Sequence, residues 1–473
     1  MNSTDLAATL RAGFSGQVLE PGQPGYDESR RIFNPMIDRR PALVARWAST
    51  ADVVAAVTAA RESELVVAVR CGGHSFAGIS TCDDGMQIDL RGLNSITVDP
   101  QARTARAGGG AAWGPFDAAT QAHGLHAPGG RVTTTGLGGF TTGGGYGWTW
   151  SKYGLACDNL VSAEVVLADG SVVRASETEH ADLFWGIRGG SGNFGIVTEF
   201  ELRLHPLGPV VLAGLTMFPI ERAPEVMRAW RDWSDAAPDE VSTGCAVVTA
   251  PPEEFVPPEL RGKPVFGMIA LYVGDPRPEP ARCGRSRTSA PPSTTSARCP
   301  TPSSRPPSRQ RSTRSRRTAP SGSTPAGSTC PGSATARSRR SSPTPPIWSR
   351  SHPLSQMIIF RIGQGVAAVA DEATAFSHRD ASYLFHPITA WADPADDVGM
   401  TEATRAFAAA MRPFGTGASY LNFTHEADRV RAAYGDGKYR RLVALKDRYD
   451  PANLFRLNQN IRPSQQPAAP ALA

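Results

Sequence analysis

Residues 183–206 read LFWGIRGGSGNFGIVTEFELRLHP. Gly190, Gly192 and Gly195 satisfy the spacing G-x-G-x-x-G, which in a dinucleotide-binding unit lies between a strand and a helix. Here the glycines run into Ile196, Thr198, Phe200, Leu202 and Leu204, alternating with Val197, Glu199, Glu201, Arg203 and His205. A period of two is a half-exposed strand. A Rossmann site for NAD is therefore excluded. No G-K-[ST] follows any glycine loop, so neither a P-loop nor a kinase is supported.

Upstream, Ser49 and Asp52 suit a capping pair, and Val53, Val54 and Val57 form a helical stripe. Leu65 to Val69 is apolar, β-branched and soon followed by a glycine pair, which predicts a short buried strand. Met86 to Leu90 and Ile96 to Val98 read as strands. A hairpin turns at Asp99-Pro100-Gln101 and returns over Thr104 to Ala107. Another turns at Asp169-Gly170, between Val165–Leu167 and Val172–Arg174. Downstream, Val210 to Leu215, Val265 to Tyr272, Gln356 to Ile362 and Tyr383 to Ile388 read as strands. Helices are expected around Glu225 to Trp233, Glu402 to Met411 and Val430 to Tyr449. Short strands and helices mixed in this order argue an α+β fold.

Of 47 glycines, the informative ones cluster: Cys71-Gly72-Gly73-His74, Gly108 to Gly110, Gly136 to Gly147 (GLGGFTTGGGYG) and Gly189 to Gly195. Glycine exposes successive backbone N–H groups without side-chain obstruction, and such concave arrays hold phosphates. Any one cluster could simply serve a turn. Several within one stretch, bracketing short strands, point to a large phosphorylated cofactor.

VRCGGHS (Val69 to Ser75), GLGGFTTGGGYG, the 183–206 stretch and YDPANLFRLNQNI (Tyr449 to Ile461) together resemble the berberine-bridge-enzyme-like FAD-linked oxidases of the vanillyl-alcohol-oxidase/PCMH superfamily. The resemblance covers roughly residues 35–280 and 351–463. It implies an FAD-binding domain of two subdomains over residues 36–208, after an N-terminal extension over 1–35. A substrate domain with a mostly antiparallel sheet covered by helices would follow over 209–414. A C-terminal segment, 415–473, would return to the FAD domain.

The resemblance further implies that His74 bonds covalently to the flavin 8α-methyl, a role open to a neutral, nucleophilic imidazole. Arg70, Gly72, Gly73, Ser75, Gly136, Gly138, Gly139, Gly143 and Gly144 would cradle the pyrophosphate and ring. Gly192, Ile196 and Val197 would lie near the adenine or ribose, and Asn422, Asn458 and Asn460 near the ring's polar edge. Members with two covalent links carry a Cys four residues before the glycine equivalent to Gly136. That position is Val132 here, so one link is expected. Phe140 replaces a His common after the Gly-Gly pair, which loosens any carry-over of substrate. Tyr146 and Tyr420 are the candidate bases for oxidising a hydroxyl- or amine-bearing carbon, with hydride passing to the flavin and O₂ as acceptor. A catalytic Tyr needs its usual pKa of ~10 lowered. A dehydrogenase with another acceptor is the nearest alternative. His378 and Arg379 are weaker candidates, expected on the substrate domain's sheet.

The chain has 473 residues, room for two or three domains at ~150 residues each. No apolar run approaches the ~20 residues of a membrane span, and no export signal is readable at the N-terminus. A cytoplasmic location, a small-molecule substrate and no nucleic-acid, membrane or metal partner are expected. Of 49 Lys+Arg, 14 are arginines within residues 281–350, which hold no Lys and no acidic residue. The rest of the chain is therefore net acidic. That window also contains 17 Ser and 12 Pro, with only Ile347 and Trp348 as large apolar residues. It cannot bury enough surface to order itself. It reads either as an Arg/Ser-rich nucleic-acid-binding linker or as G+C-rich coding sequence translated out of frame. Thr329 to Ser338, shifted by one base, permits YLPGLGDGAI, and the continuation permits an amphipathic helix. A shifted frame predicts compensating indels near codons 281 and 350, and a catalytically impaired product. Cys71, Cys82, Cys157 and Cys245 show no paired spacing and read as free thiols.

Overall fold

The computed structural model describes residues 3–13, 15–274, 294–300, 317–318, 355–423 and 429–465. Leu43–Arg46 lies parallel to Met86–Asp89, itself parallel to Val67–Arg70, and Gln17–Leu19 closes one edge antiparallel. Parallel neighbours need a crossover, which the helix Thr50–Glu62 supplies. Its start is fixed by the capping pair: the Ser49 hydroxyl accepts from the Asp52 N–H at 3.2 Å, and the Asp52 carboxylate accepts from the Ser49 N–H at 3.1 Å. Val53, Ala56, Val57 and Ala60 then bury against Leu43, Ala45, Met86 and Ile88.

The period-two stretch is the strand Ile196–Arg203. It forms the centre of a five-stranded antiparallel sheet ordered Ile96–Asp99, Thr104–Gly108, Ile196–Arg203, Leu160–Val166, Val172–Ser176. Both sequence-predicted hairpins are present in it. Thr198, Phe200 and Leu202 are buried while Glu199 and Glu201 are half-buried and Arg203 is exposed, as alternation requires.

A six-stranded antiparallel sheet follows, ordered Thr294–Pro300, Val210–Pro219, Pro264–Tyr272, Val241–Thr249, Gln356–Arg361, Tyr383–Ile388. The helix Ala223–Asp235 lays Val226 and Trp230 onto Cys245, Phe266 and Tyr383. The Trp230 indole donates to the Thr243 hydroxyl at 2.9 Å, so this large side chain buries no orphan donor. The helical segment Val430–Tyr449, interrupted at Gly435, packs on the first half, where Leu442 and Leu445 join Phe184, Phe194 and Trp113 in one core.

Thr294–Pro300 and Arg317–Thr318 of the Arg/Ser/Pro-rich window are strands, the first pairing antiparallel with Val210–Thr216 and the second with Ala390–Trp391. The rest of the window, and with it the expectation of disorder or a shifted frame, lies outside the described residues. Cys71, Cys82, Cys157 and Cys245 are free thiols. Among the described residues no helix is long and apolar enough to cross a membrane.

Candidate active site

The four glycine clusters, dispersed over more than a hundred residues, come together. A Cβ on Gly72 would lie 2.2 Å from the Gly136 nitrogen, and one on Gly136 only 2.3 Å from the Gly72 nitrogen. Gly138 faces the Gly109 carbonyl oxygen, 3.2 Å from where its Cβ would be. The Gly189 N–H donates to the Thr142 carbonyl at 2.8 Å. Only residues without side chains permit backbones this close. Gly139 and Gly192 differ, since a Cβ on either would meet no protein atom within 4 Å. They face open space.

His74 sits where the strand Val67–Arg70 leaves its sheet through the left-handed Gly73 (φ 71°). Its ring stacks on Phe33, with centroids 4.6 Å apart and planes at 18°. Nε2 lies 2.9 Å from the Thr134 hydroxyl and Nδ1 lies 3.5 Å from that of Thr135. Loss of solvation, with the positive charge of Arg70 second, lowers its pKa to about 4. The imidazole is neutral at neutral pH and retains a nucleophilic nitrogen. Arg70 lies beneath the loop: it is buried, donates to the Ser29 carbonyl and keeps Nε unpartnered. Burial lowers its pKa to about 10. Ser75 is half-buried on the same loop. Ile196 and Val197 are buried at the start of the central strand, with the Val197 carbonyl against Gly109.

The C-terminal segment completes the site. The Tyr420 hydroxyl accepts from the Gly145 N–H and from the Asn422 side-chain amide, both at 3.0 Å. Asn422 also donates to the Phe140 carbonyl at 3.2 Å and stands where a Gly143 side chain would be. Gly144 is held at φ 112°, its Cβ direction filled by Phe376. Tyr146 is buried 5.5 Å from the Tyr420 ring, and Phe423 packs against both. Burial raises the pKa of both tyrosines. Asn458 donates to the Gly192 carbonyl at 3.1 Å. The Oδ1 atoms of Asn458 and Asn460 are buried without a partner. Of the candidates read from the sequence, Gly72, Gly136 and Gly138 meet at one close backbone approach, Gly143, Gly144, Tyr146, Tyr420 and Asn422 at a second, and Gly192 and Asn458 at a third.

His378 and Arg379 differ from expectation. They precede the strand Tyr383–Ile388 and do not lie on it. Arg379 is buried in an ion pair with Asp158, at 2.5 and 3.0 Å, and also donates to Thr374. Both charged ends are consumed in holding two segments together. Sequence reading missed Arg131, His386 and Lys446. Lys446 is fully buried against Asp450 at 2.6 Å and donates to the carbonyls of Asn193 and Phe455. An i,i+4 Lys–Asp pair was visible in the sequence, but looks like any exposed helical pair.

A glycine-walled space, buried unpartnered amide oxygens and a neutral histidine at its rim fit a long dinucleotide carrying a ring system. The comparisons agree. Residues 41–176 match the family described as FAD binding domain, and residues 419–462 match the one described as berberine and berberine like. The chain therefore carries a stretch that matches an FAD-binding domain and a C-terminal stretch that matches a berberine-like segment. The chain is 39% identical to (R)-6-hydroxynicotine oxidase of Paenarthrobacter nicotinovorans, over 45% of its own length and 46% of that protein's. It is 28% identical to the uncharacterized FAD-linked oxidoreductase YgaK of Bacillus subtilis, over 95% of this chain and 97% of that one. Among solved structures, 6-hydroxy-D-nicotine oxidase from Arthrobacter nicotinovorans superposes with a TM-score of 0.76 at 27% identity, covering 95% of this chain and 98% of the other. A BBE-like protein of Physcomitrella patens shares the fold, with a TM-score of 0.81 at 21% identity over 98% of this chain and all of the other.

Proposed function

We propose that this protein is an oxidase whose FAD is held by a single covalent link through His74, and which oxidises a hydroxyl- or amine-bearing carbon of a sugar or secondary metabolite. FAD, when bound, takes two electrons from the substrate and hands them to O₂. The chain's residues do the remainder. Gly72, Gly136, Gly138 and Gly139 shape the cradle, and Asn422, Asn458 and Asn460 offer amide groups to the polar edge of the ring. Tyr420, fixed by two N–H donors, holds the substrate heteroatom and receives its proton, with Tyr146, Phe376 and His378 walling the recess that both tyrosines line. The observation that carries this reading is that Tyr420, from the far end of the chain, hydrogen-bonds inside the same glycine loop that backs onto the His74 turn.

Two donors aimed at the Tyr420 oxygen favour its anionic form, while burial opposes it and prevails. The base is consequently a minor species at neutral pH. Val132 lies in the loop that holds Thr134 and Thr135 against His74 and offers no second tether, which supports one link rather than two. The name of the nicotine oxidase relative supports an oxidase over a dehydrogenase. Rapid mixing of the substrate-reduced protein with air-saturated buffer tests this. Fast reappearance of the oxidised flavin spectrum with stoichiometric H₂O₂ supports the oxidase, and reoxidation only by an added artificial acceptor refutes it.

A further inference from the structure

Beside Tyr146 and Phe423 lies a pair of groups the reaction above does not use. The Arg131 guanidinium lies over three aromatic faces, with Cζ 3.7 Å from the Phe360 centroid, 4.3 Å from that of Tyr146 and 4.8 Å from that of Trp148. Cation–π contact with the three rings leaves its N–H donors without an oxygen acceptor. Among the described residues Arg131 makes no ion pair and no hydrogen bond. His386 is buried and stacked on Phe423, with centroids 3.7 Å apart and planes at 14°. Phe76 meets its edge, and its Nε2 has no partner. A half-buried cation without a counter-charge attracts an anion, and a buried nitrogen without a partner is costly. One ligand carrying negative charge answers both.

We propose that Arg131 and His386 form the specificity end of the substrate recess and select a substrate whose flat, apolar body carries a carboxylate. The guanidinium fork matches a carboxylate's two oxygens in its own plane. Nε2 of His386 supplies a further polar contact, and Phe76, Phe360, Trp148 and Phe423 cover the apolar body. This assignment rests on the reading of the recess as the place where substrate meets FAD.

Purified holoprotein is titrated calorimetrically with cinnamate, cinnamamide and methyl cinnamate at one pH and ionic strength; none of the three carries an oxidisable alcohol carbon. A charge-assisted pair predicts that cinnamate binds at least about tenfold more tightly than the neutral probes. Arg131→Met should abolish that preference, Arg131→Lys should retain part of it, and His386→Phe should reduce it. Flavin content and thermal midpoint are measured on each variant, so a colourless protein marks failure of the FAD reading and is separate from loss of selectivity. Equal affinities for the three probes, or binding of none, overturns the proposal. So does a carboxylate preference that survives Arg131→Met. If that variant instead shifts the flavin midpoint potential while keeping the preference, Arg131 serves charge on the cofactor and the proposal also fails.

Discussion

The Tyr420 hydroxyl and the Gly145 N–H are 3.0 Å apart, although 275 positions separate them in the chain. This bond joins the C-terminal segment to the glycine loop, and it sets the chemistry expected of Tyr420. Burial lifts the phenol above its ordinary pKa, so below that value each unit of pH raises the fraction of phenolate about tenfold. Turnover should therefore climb with pH from 6 to 9, and Tyr420→Phe should lose about 10²–10⁴ in kcat together with the slope. The measurement is kcat against pH for both proteins. A slope that persists in the phenylalanine variant removes Tyr420 from the proton transfer.

Two classes of glycine are distinguishable by substitution. Gly72→Ala drives a methyl group into the Gly136 backbone, and an overpacked core costs about 1–3 kcal/mol or more. Gly139→Ala meets nothing within 4 Å, so fold stability should stay within about 0.5 kcal/mol while FAD affinity falls. Urea unfolding and flavin content, measured side by side, separate the two. If Gly139→Ala binds FAD normally, the open space beside it is not the cofactor's.

Lys446 and Asp450 form a buried pair whose Asp also accepts the N–H groups of Leu454 and Phe455, at 2.8 and 2.9 Å. Lys446→Met strands that carboxylate. The expected cost is about 3–5 kcal/mol, seen as a lower urea midpoint, and the loop carrying Asn458 and Asn460 should loosen with it. A neutral outcome would mean that the pair is dispensable.

Acid should weaken the fold through His126 and His205, which face each other across a two-stranded bridge. His126 is bonded to Thr149 at 2.9 Å, and His205 to Asn159 at 2.6 Å. Burial leads in lowering both, to about 3 and about 4, against ~6.5 unfolded. The unfolded chain therefore takes up the extra protons. Stability is full above pH ~6.5 and drains as the pH falls towards 4. His126→Gln with His205→Gln should flatten that decline in thermal melts between pH 7 and 4.

Local signals made much of this legible. The Ser49–Asp52 cap, the Asp169-Gly170 turn and the alternation through Ile196 to Leu204 each fix their element by contacts between near neighbours. The helical segment expected over Val430–Tyr449 is observed, but it breaks at Gly435 (φ 71°), where the chain leaves helical geometry. Val241–Thr249 escaped notice because it carries Ser242, Thr243 and Gly244, and its place as a strand is set by pairing with Pro264–Tyr272 and Gln356–Arg361, outside the segment itself. The site divides likewise. His74 and the glycines announce themselves through motif, whereas Arg131 and His386 acquire meaning only when the aromatic rings around them are assembled by the fold. His378 and Arg379 looked chemical, but Asp158, which holds Arg379, is more than 200 residues away.

The most direct test of the account is acid precipitation of the purified protein, reading the visible spectrum of pellet and supernatant. A histidyl link predicts that yellow colour stays with the wild-type pellet and passes to the supernatant in His74→Ala. Wild-type protein whose flavin is released entirely into the supernatant would contradict it.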